Sequence, residues 1–136
     1  NNSLLAGYVE VGSRAFVSAQ VGVHQFVRIG RLAMIGGQAG FNKDVPPFCT
    51  VRPGLFNVVG GINTVGMRRA GLPPESRSDV KEAFRLLYRS GLNVAQAVER
   101  IRDAYTEGPA REMADFAAAS KRGICGGMPQ GTKAAG

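Results

Sequence analysis

The run Asn63-Thr64-Val65-Gly66-Met67-Arg68-Arg69-Ala70-Gly71 places two adjacent guanidinium groups and a carboxamide in a glycine-bracketed segment. Arg68 and Arg69 can offer forked donors to a diphosphate, and Asn63 can read a base edge or a ribose. A solvated turn ahead of a helix is the competing reading of the same residues. His24 is the only histidine of the chain, with Gln25 beside it. An imidazole next to a carboxamide suits ligand contact or proton handling, against a surface histidine with no task. One histidine without a nucleophile elbow supports no Ser-His-Asp triad. Cys49 and Cys125 have no CxxC partner, so neither a metal site nor a disulfide framework follows. Gly36-Gly37 and Gly60-Gly61 are not followed by a phosphate-binding helix, which excludes nucleotide loops of the Walker or Rossmann kind.

The charge that surrounds these residues is uneven. The chain carries +7 overall; residues 1–72 hold seven basic groups against two acids, and residues 73–136 ten against eight. The excess on the first half would attract an anionic partner: nucleic acid, nucleotide phosphates or an acidic carrier protein. Single-strand nucleic-acid binding needs aromatics interleaved with the basic groups, and residues 1–47 hold only Tyr8, Phe16, Phe26 and Phe41, so no nucleic-acid partner is expected. No apolar run reaches the 18–20 or so residues of a membrane span, and Asn1-Asn2-Ser3-Leu4-Leu5 does not read as a signal peptide. Two free thiols fit a reducing cytoplasm.

The elements that must position these groups begin with a repeat of six. Leu5, Val11, Val17, Val23, Ile29, Ile35 and Phe41 recur without a slip, each followed by a small residue or Asn apart from His24. A second apolar set falls four positions later, at Val9, Ala15, Val21, Val27, Ala33, Ala39 and Val45. A helix would recur at three and four and a single strand at two. A period of six predicts short strands joined by tight corners, where the glycines and Asn are expected to supply positive φ. Three hexads make a triangular coil of eighteen residues, and the pattern is that of a left-handed parallel β-helix over residues 1–47. The repeat opens inside a hexad and holds barely more than two coils, fewer than the roughly three a solenoid needs, so further coils or a covering molecule are expected.

Asp44-Val45-Pro46-Pro47-Phe48 is expected to end the ladder, since proline cannot donate into it. Residues 48–72 then read as a crossing loop, 73–122 as a small C-terminal α-helical domain of three helices, and 123–136 as a flexible tail. Proline opens the first helix, whose inward stripe is Val80, Ala83, Phe84, Leu87 and Tyr88, and Gly91 ends it. Asn93 with Gln96 predicts a capping box for the second, with Val94, Ala97, Val98 and Ile101 inward. The third runs from about Ala110 to Lys121 with Met113, Phe116 and Ala117 inward.

Leu5-Ala6-Gly7-Tyr8-Val9, Val23-His24-Gln25-Phe26, Ile35-Gly36-Gly37, Lys43 through Phe48, Asn63 through Gly71 and Tyr88-Arg89-Ser90-Gly91 occur in this order. Together they resemble the carboxyl-terminal half of the UDP-N-acetylglucosamine O-acyltransferases, hexapeptide-repeat enzymes that open lipid A synthesis. The resemblance implies a cytoplasmic homotrimer that moves a 3-hydroxyacyl chain from acyl carrier protein to the sugar 3-hydroxyl, with no metal and no cofactor. It implies that the Gly7 amide stabilises the oxyanion, and that His24, Gln25, Asn63, Arg68 and Arg69 contact UDP-N-acetylglucosamine. Met34 and Gly37 fall where the acyl chain is accommodated. The general-base histidine would precede Asn1, so residues 1–136 alone are expected to be inactive. Tyr8 stands where the family usually has a histidine, and Ala70 replaces an arginine. A non-catalytic trimerising or nucleotide-sugar-binding module is the alternative. A fragment of a coenzyme A-dependent acyltransferase is a further one, against which the helical tail argues.

Overall fold

The computed structural model describes residues 4–5, 10–17, 22–23 and 26–128. Seven two-residue strands start at every sixth position: β1 (Leu4–Leu5), β2 (Glu10–Val11), β3 (Phe16–Val17), β4 (Gly22–Val23), β5 (Arg28–Ile29), β6 (Met34–Ile35) and β7 (Gly40–Phe41). Pairing skips two strands each time. β1 lies parallel to β4 and β4 to β7, β2 to β5, and β3 to β6, always with an 18-residue register shift such as Leu4 against Gly22. Three hexads therefore make one turn, with one strand on each of three faces. The apolar repeat lines the inside: Ile29, Ile35 and Phe41 are at most 2% exposed, and so are Val27, Ala33, Ala39 and Val45, four positions into their hexads.

The small residues of the hexad have another task than the one expected. Positive φ falls on Arg14, Phe26, Leu32 and Gln38, two residues after the small position. Gly12, Gly30 and Gly36 instead lie where neighbouring coils touch. A Cβ on Gly12 would come 2.6 Å from the Arg31 nitrogen, one on Gly36 would come 2.7 Å from the Pro53 nitrogen, and one on Gly30 would strike Pro47. Stacking at strand spacing leaves these positions no room for a side chain.

The ladder also continues past residue 47. Val45 bridges Ile29, β8 (Cys49–Val51) pairs with β6, and Phe56 bridges Gly40, now with a 16-residue shift. Pro46 and Pro47 fall between paired stretches, where no ladder donor is needed. The segment read as a crossing loop thus holds β8, an antiparallel partner β9 (Val58–Ile62) and a short helix α1 (Thr64–Arg69).

Three further helices follow: α2 (Pro74–Tyr88), α3 (Val94–Ala104) and α4 (Gly108–Ala119). Proline opens α2 and the Asn93–Gln96 capping box opens α3, as the sequence predicts. They pack on one another through Val80, Ala83, Phe84, Ala97, Val98, Ile101, Met113 and Phe116, all buried, and α2 also lies on β9. The chain then returns to the sheet. β10 (Gly126–Gly127) runs parallel to β9, so this much of the expected tail is strand; residues 129–136 lie outside the described residues. Asp44, 1% exposed, joins the two parts: one carboxylate oxygen accepts the Arg28 N–H at 2.8 Å, the other the Ser120 hydroxyl at 2.6 Å. Tyr88 closes the junction by donating its hydroxyl to the Cys125 carbonyl at 2.8 Å.

Candidate functional site

The two arginines singled out by the sequence occupy the last turn of α1, and both are exposed. Helix α1 exists because Asn63 caps it. The Asn63 carboxamide oxygen accepts the Gly66 N–H at 3.0 Å, and its nitrogen donates to the Leu32 carbonyl at 2.9 Å. Only 9% exposed, Asn63 has both ends of its carboxamide engaged internally, which fixes the helix start rather than presenting a free edge to a ligand.

Arg68 lines a groove of about 810 Å³ between α1, the end of β9 and α2. Its floor is Gly61, Ile62, Met67 and Phe84, and its rim carries Arg77, Lys81, Arg85 and Arg89. These four are spaced at i, i+4, i+8 and i+12, so they form one row that runs obliquely along α2 to Arg89 at its C-cap. At 1.5 Å rise per residue the stripe is about 18 Å long. Among the described residues, Glu82 is the only carboxylate lining the groove, against five cations. It is bound to Arg85 at 2.6 Å, and the Arg85 guanidinium holds its carboxyl below the ordinary value. Like charges four apart on a helix repel by a few tenths of a kcal/mol per pair. A stripe of this kind opposes folding slightly and fits the docking of an acidic partner.

A second groove, of about 680 Å³, lies between α4 and the coil. Its charges cancel locally: Arg31 meets Glu112 at 2.9 Å, Arg111 meets Asp115 at 3.1 Å, and Arg28 stacks on Phe116 at 4.4 Å. It therefore offers an anion far less than the α1–α2 groove does.

The other expected site residues lie elsewhere. Gly7, Tyr8, His24 and Gln25 are outside the described residues. Met34, 42% exposed, projects from β6, and the Gly37 carbonyl accepts the Gly54 N–H at 3.0 Å. Neither lines the basic groove. The stripe itself was missed by the sequence reading, although a count of cations at four-residue spacing along 77–89 would have found it. Among the described residues no group of three or more His, Cys, Asp and Glu is placed to hold a metal, and no helix is long and apolar enough to cross a membrane.

Parallel strands stacked on three faces, closed by packed helices that carry a basic groove, define a strand-coil protein with a helical cap. Residues 44–125, which run from the last coil through the cap, match the family described as UDP-N-acetylglucosamine O-acyltransferase, Domain 2, and the chain belongs to that family. An acyl-[acyl-carrier-protein]–UDP-N-acetylglucosamine O-acyltransferase of Gloeothece citriformis is 44% identical over 117 residues, covering 85% of this chain and 42% of the relative. Its counterpart in Burkholderia lata is 41% identical over 129 residues, covering 91% and 49%. The chain spans less than half the length of these relatives. Among solved structures, the Francisella novicida UDP-N-acetylglucosamine acyltransferase superposes with a TM-score of 0.82 at 37% identity, over 91% of this chain and 45% of that one. The Arabidopsis UDP-N-acetylglucosamine acyltransferase gives 0.80 at 28% identity, over 92% and 47%.

Proposed function

We propose that this chain serves acyl transfer from acyl carrier protein to the 3-hydroxyl of UDP-N-acetylglucosamine, and that the α2 stripe is where the acidic carrier docks. The observation that carries the docking is the imbalance of five cations to one carboxylate in a groove long enough for about three turns of an acidic helix. Family membership supplies the reaction. The sugar hydroxyl attacks the thioester carbonyl, the carbon–oxygen bond forms, the carbon–sulfur bond breaks, and the carrier thiol leaves with a proton.

In this reading the coils wind left-handed, and three copies assemble in the cytoplasm with sites between neighbouring coils. Phe26 and Phe56, each 59% exposed, support burial against another copy. Gly7 supplies the oxyanion amide, His24, Gln25, Arg68 and Arg69 face the nucleotide sugar, and Met34 and Gly37 face the acyl chain. The base that takes the hydroxyl proton is expected ahead of residue 1, so residues 1–136 bind the carrier without turning over. Calorimetric titration with acyl carrier protein and with UDP-N-acetylglucosamine, beside a transfer assay on the same chain, tests this. Heat with the carrier and no transfer is expected. Transfer by the purified chain would overturn the assignment of the base, and no heat with either ligand would favour a purely structural module.

A further inference from the structure

Arg14, Leu32 and Phe48 turn the same corner of successive coils, with φ of 56°, 56° and 66°. The Leu32 N–H donates to the Ser13 carbonyl and the Phe48 N–H to the Arg31 carbonyl, which stacks the three corners. Leu32 and Phe48 are buried, so their side chains fill the core behind the corner. Arg14 is exposed and fills nothing. The corner demands an angle and not a cation, so the fold does not account for the guanidinium. Its Nη1 group donates to the Ala70 carbonyl at 3.5 Å, at the C-cap of α1 and one residue beyond Arg69. Ala70 stands where the family usually carries a second arginine. The coil thus delivers to the end of α1 the guanidinium that position 70 lacks. Arg14 and Arg69 are both exposed, and among the described residues neither meets a carboxylate. Neither lines the basic groove along α2. Carbonyls at the end of α1 temper the repulsion between neighbouring cations.

We propose that Arg14 is a further binding residue for the nucleotide sugar, holding its diphosphate together with Arg69 in place of the arginine absent from position 70. A carboxylate is satisfied by one guanidinium fork, whereas a diphosphate offers a phosphoryl group to each of two. Anchored to α1 through one N–H, Arg14 keeps the rest of its donors for the ligand. This rests on the nucleotide-sugar reading given above and adds to it a residue from the coil. No covalent step is involved.

The test titrates UDP calorimetrically into the 136-residue chain, into Arg14→Met, and into Arg14→Met combined with Ala70→Arg. Methionine, unbranched at Cβ like arginine, meets the corner angle on the same terms. Arg14→Met binds UDP about ten-fold more weakly, the scale of one charge-assisted pair, and Ala70→Arg in the same chain restores most of the loss. Acyl carrier protein, titrated in parallel, binds Arg14→Met within about two-fold of the native chain, because Arg14 stands off the α2 stripe. Native affinity for UDP in Arg14→Met would overturn the proposal and leave the nucleotide-sugar reading intact. A loss that Ala70→Arg does not restore would overturn it too, and so would equal weakening of UDP and of acyl carrier protein, since Arg14 would then act through the fold. No binding of UDP by the native chain would instead remove the nucleotide-sugar reading itself. Melting curves show whether Arg14→Met folds, and Arg14→Lys, which keeps the charge without the fork, replaces it if not, with a smaller loss of UDP affinity expected.

Discussion

The Asn63 carboxamide donates to the Leu32 carbonyl at 2.9 Å, and so pins the start of α1 to a corner of the coil. Leu32 holds φ at 56°, a conformation that costs a non-glycine residue about 1–2 kcal/mol and persists only where neighbours fix it. Asn63→Ala loses the cap, worth about 1 kcal/mol, and leaves a buried carbonyl unmet at about 1–2 more. A fall of about 2–3 kcal/mol in urea unfolding is therefore expected. Unchanged stability combined with weakened nucleotide-sugar binding would return Asn63 to the ligand.

Glycines of two kinds should answer differently to alanine. At Gly30 the added Cβ strikes the backbone of Pro47, which belongs to the next coil and cannot yield. At Gly54, with φ of +69°, nothing lies within 4 Å of the added atom, and only backbone strain is felt. Gly54→Ala should cost about 1 kcal/mol. Gly30→Ala should cost more than about 3, or prevent folding. Thermal melts of the two variants decide this, and equal losses would mean that coil spacing does not constrain Gly30.

The buried thiols make a prediction about pH. Burial pushes the Cys125 thiol up from 9.0 to about 12, and burial first, then Cys125, pushes Cys49 up as well. Burial also raises the Tyr88 hydroxyl. Each folded value lies above the unfolded one, so the stabilisation is whole below pH 9 and is lost as pH rises toward about 12, because the unfolded chain releases protons that the folded chain keeps. The slope is at most about 1.4 kcal/mol per pH unit for each group. Urea midpoints at pH 8 and pH 10 should differ in that sense, and Cys49→Ala with Cys125→Ala should flatten the change. Neither thiol should react with iodoacetamide in the folded chain at pH 8.

What could be read from the sequence follows from what each element demands of side chains. An inward residue must recur with the coil, so Val11 through Phe41 displayed the architecture openly. The capping box at Asn93 and Gln96 was equally legible, because only such a pair satisfies two helix donors at once. The corners were not. Arg14, Phe26, Leu32 and Gln38 share a positive φ and no chemistry, since the coil imposes the angle and their side chains do not favour it. In the sequence Pro46 and Pro47 read as the end of the ladder because proline lacks the donor that an interior pairing needs, whereas they sit between pairings. The six-residue helix α1, with a glycine inside it, carried too few turns for any periodicity. For the site, Arg68 was visible in its local run. Its companions on α2 emerge only when a helix is drawn and cations four apart fall into line.

The neutral groove supplies the control for that site. Asp115→Asn removes an exposed carboxylate that meets Arg102 at 2.9 Å and Arg111 at 3.1 Å. It should shift stability by less than about 1 kcal/mol and leave carrier binding untouched. Weakened carrier binding in this variant would mean that the carrier also uses the face of α4.

The stripe on α2 is decided most directly by the affinity of acyl carrier protein for the chain and for Lys81→Glu with Arg85→Glu, each at low and at physiological salt. The native chain should bind, and should weaken as salt rises. The double variant should bind at least about ten-fold more weakly and lose most of its salt dependence, with its melting curve little changed. Equal affinity of the two chains at low salt would contradict the docking of an acidic carrier on α2.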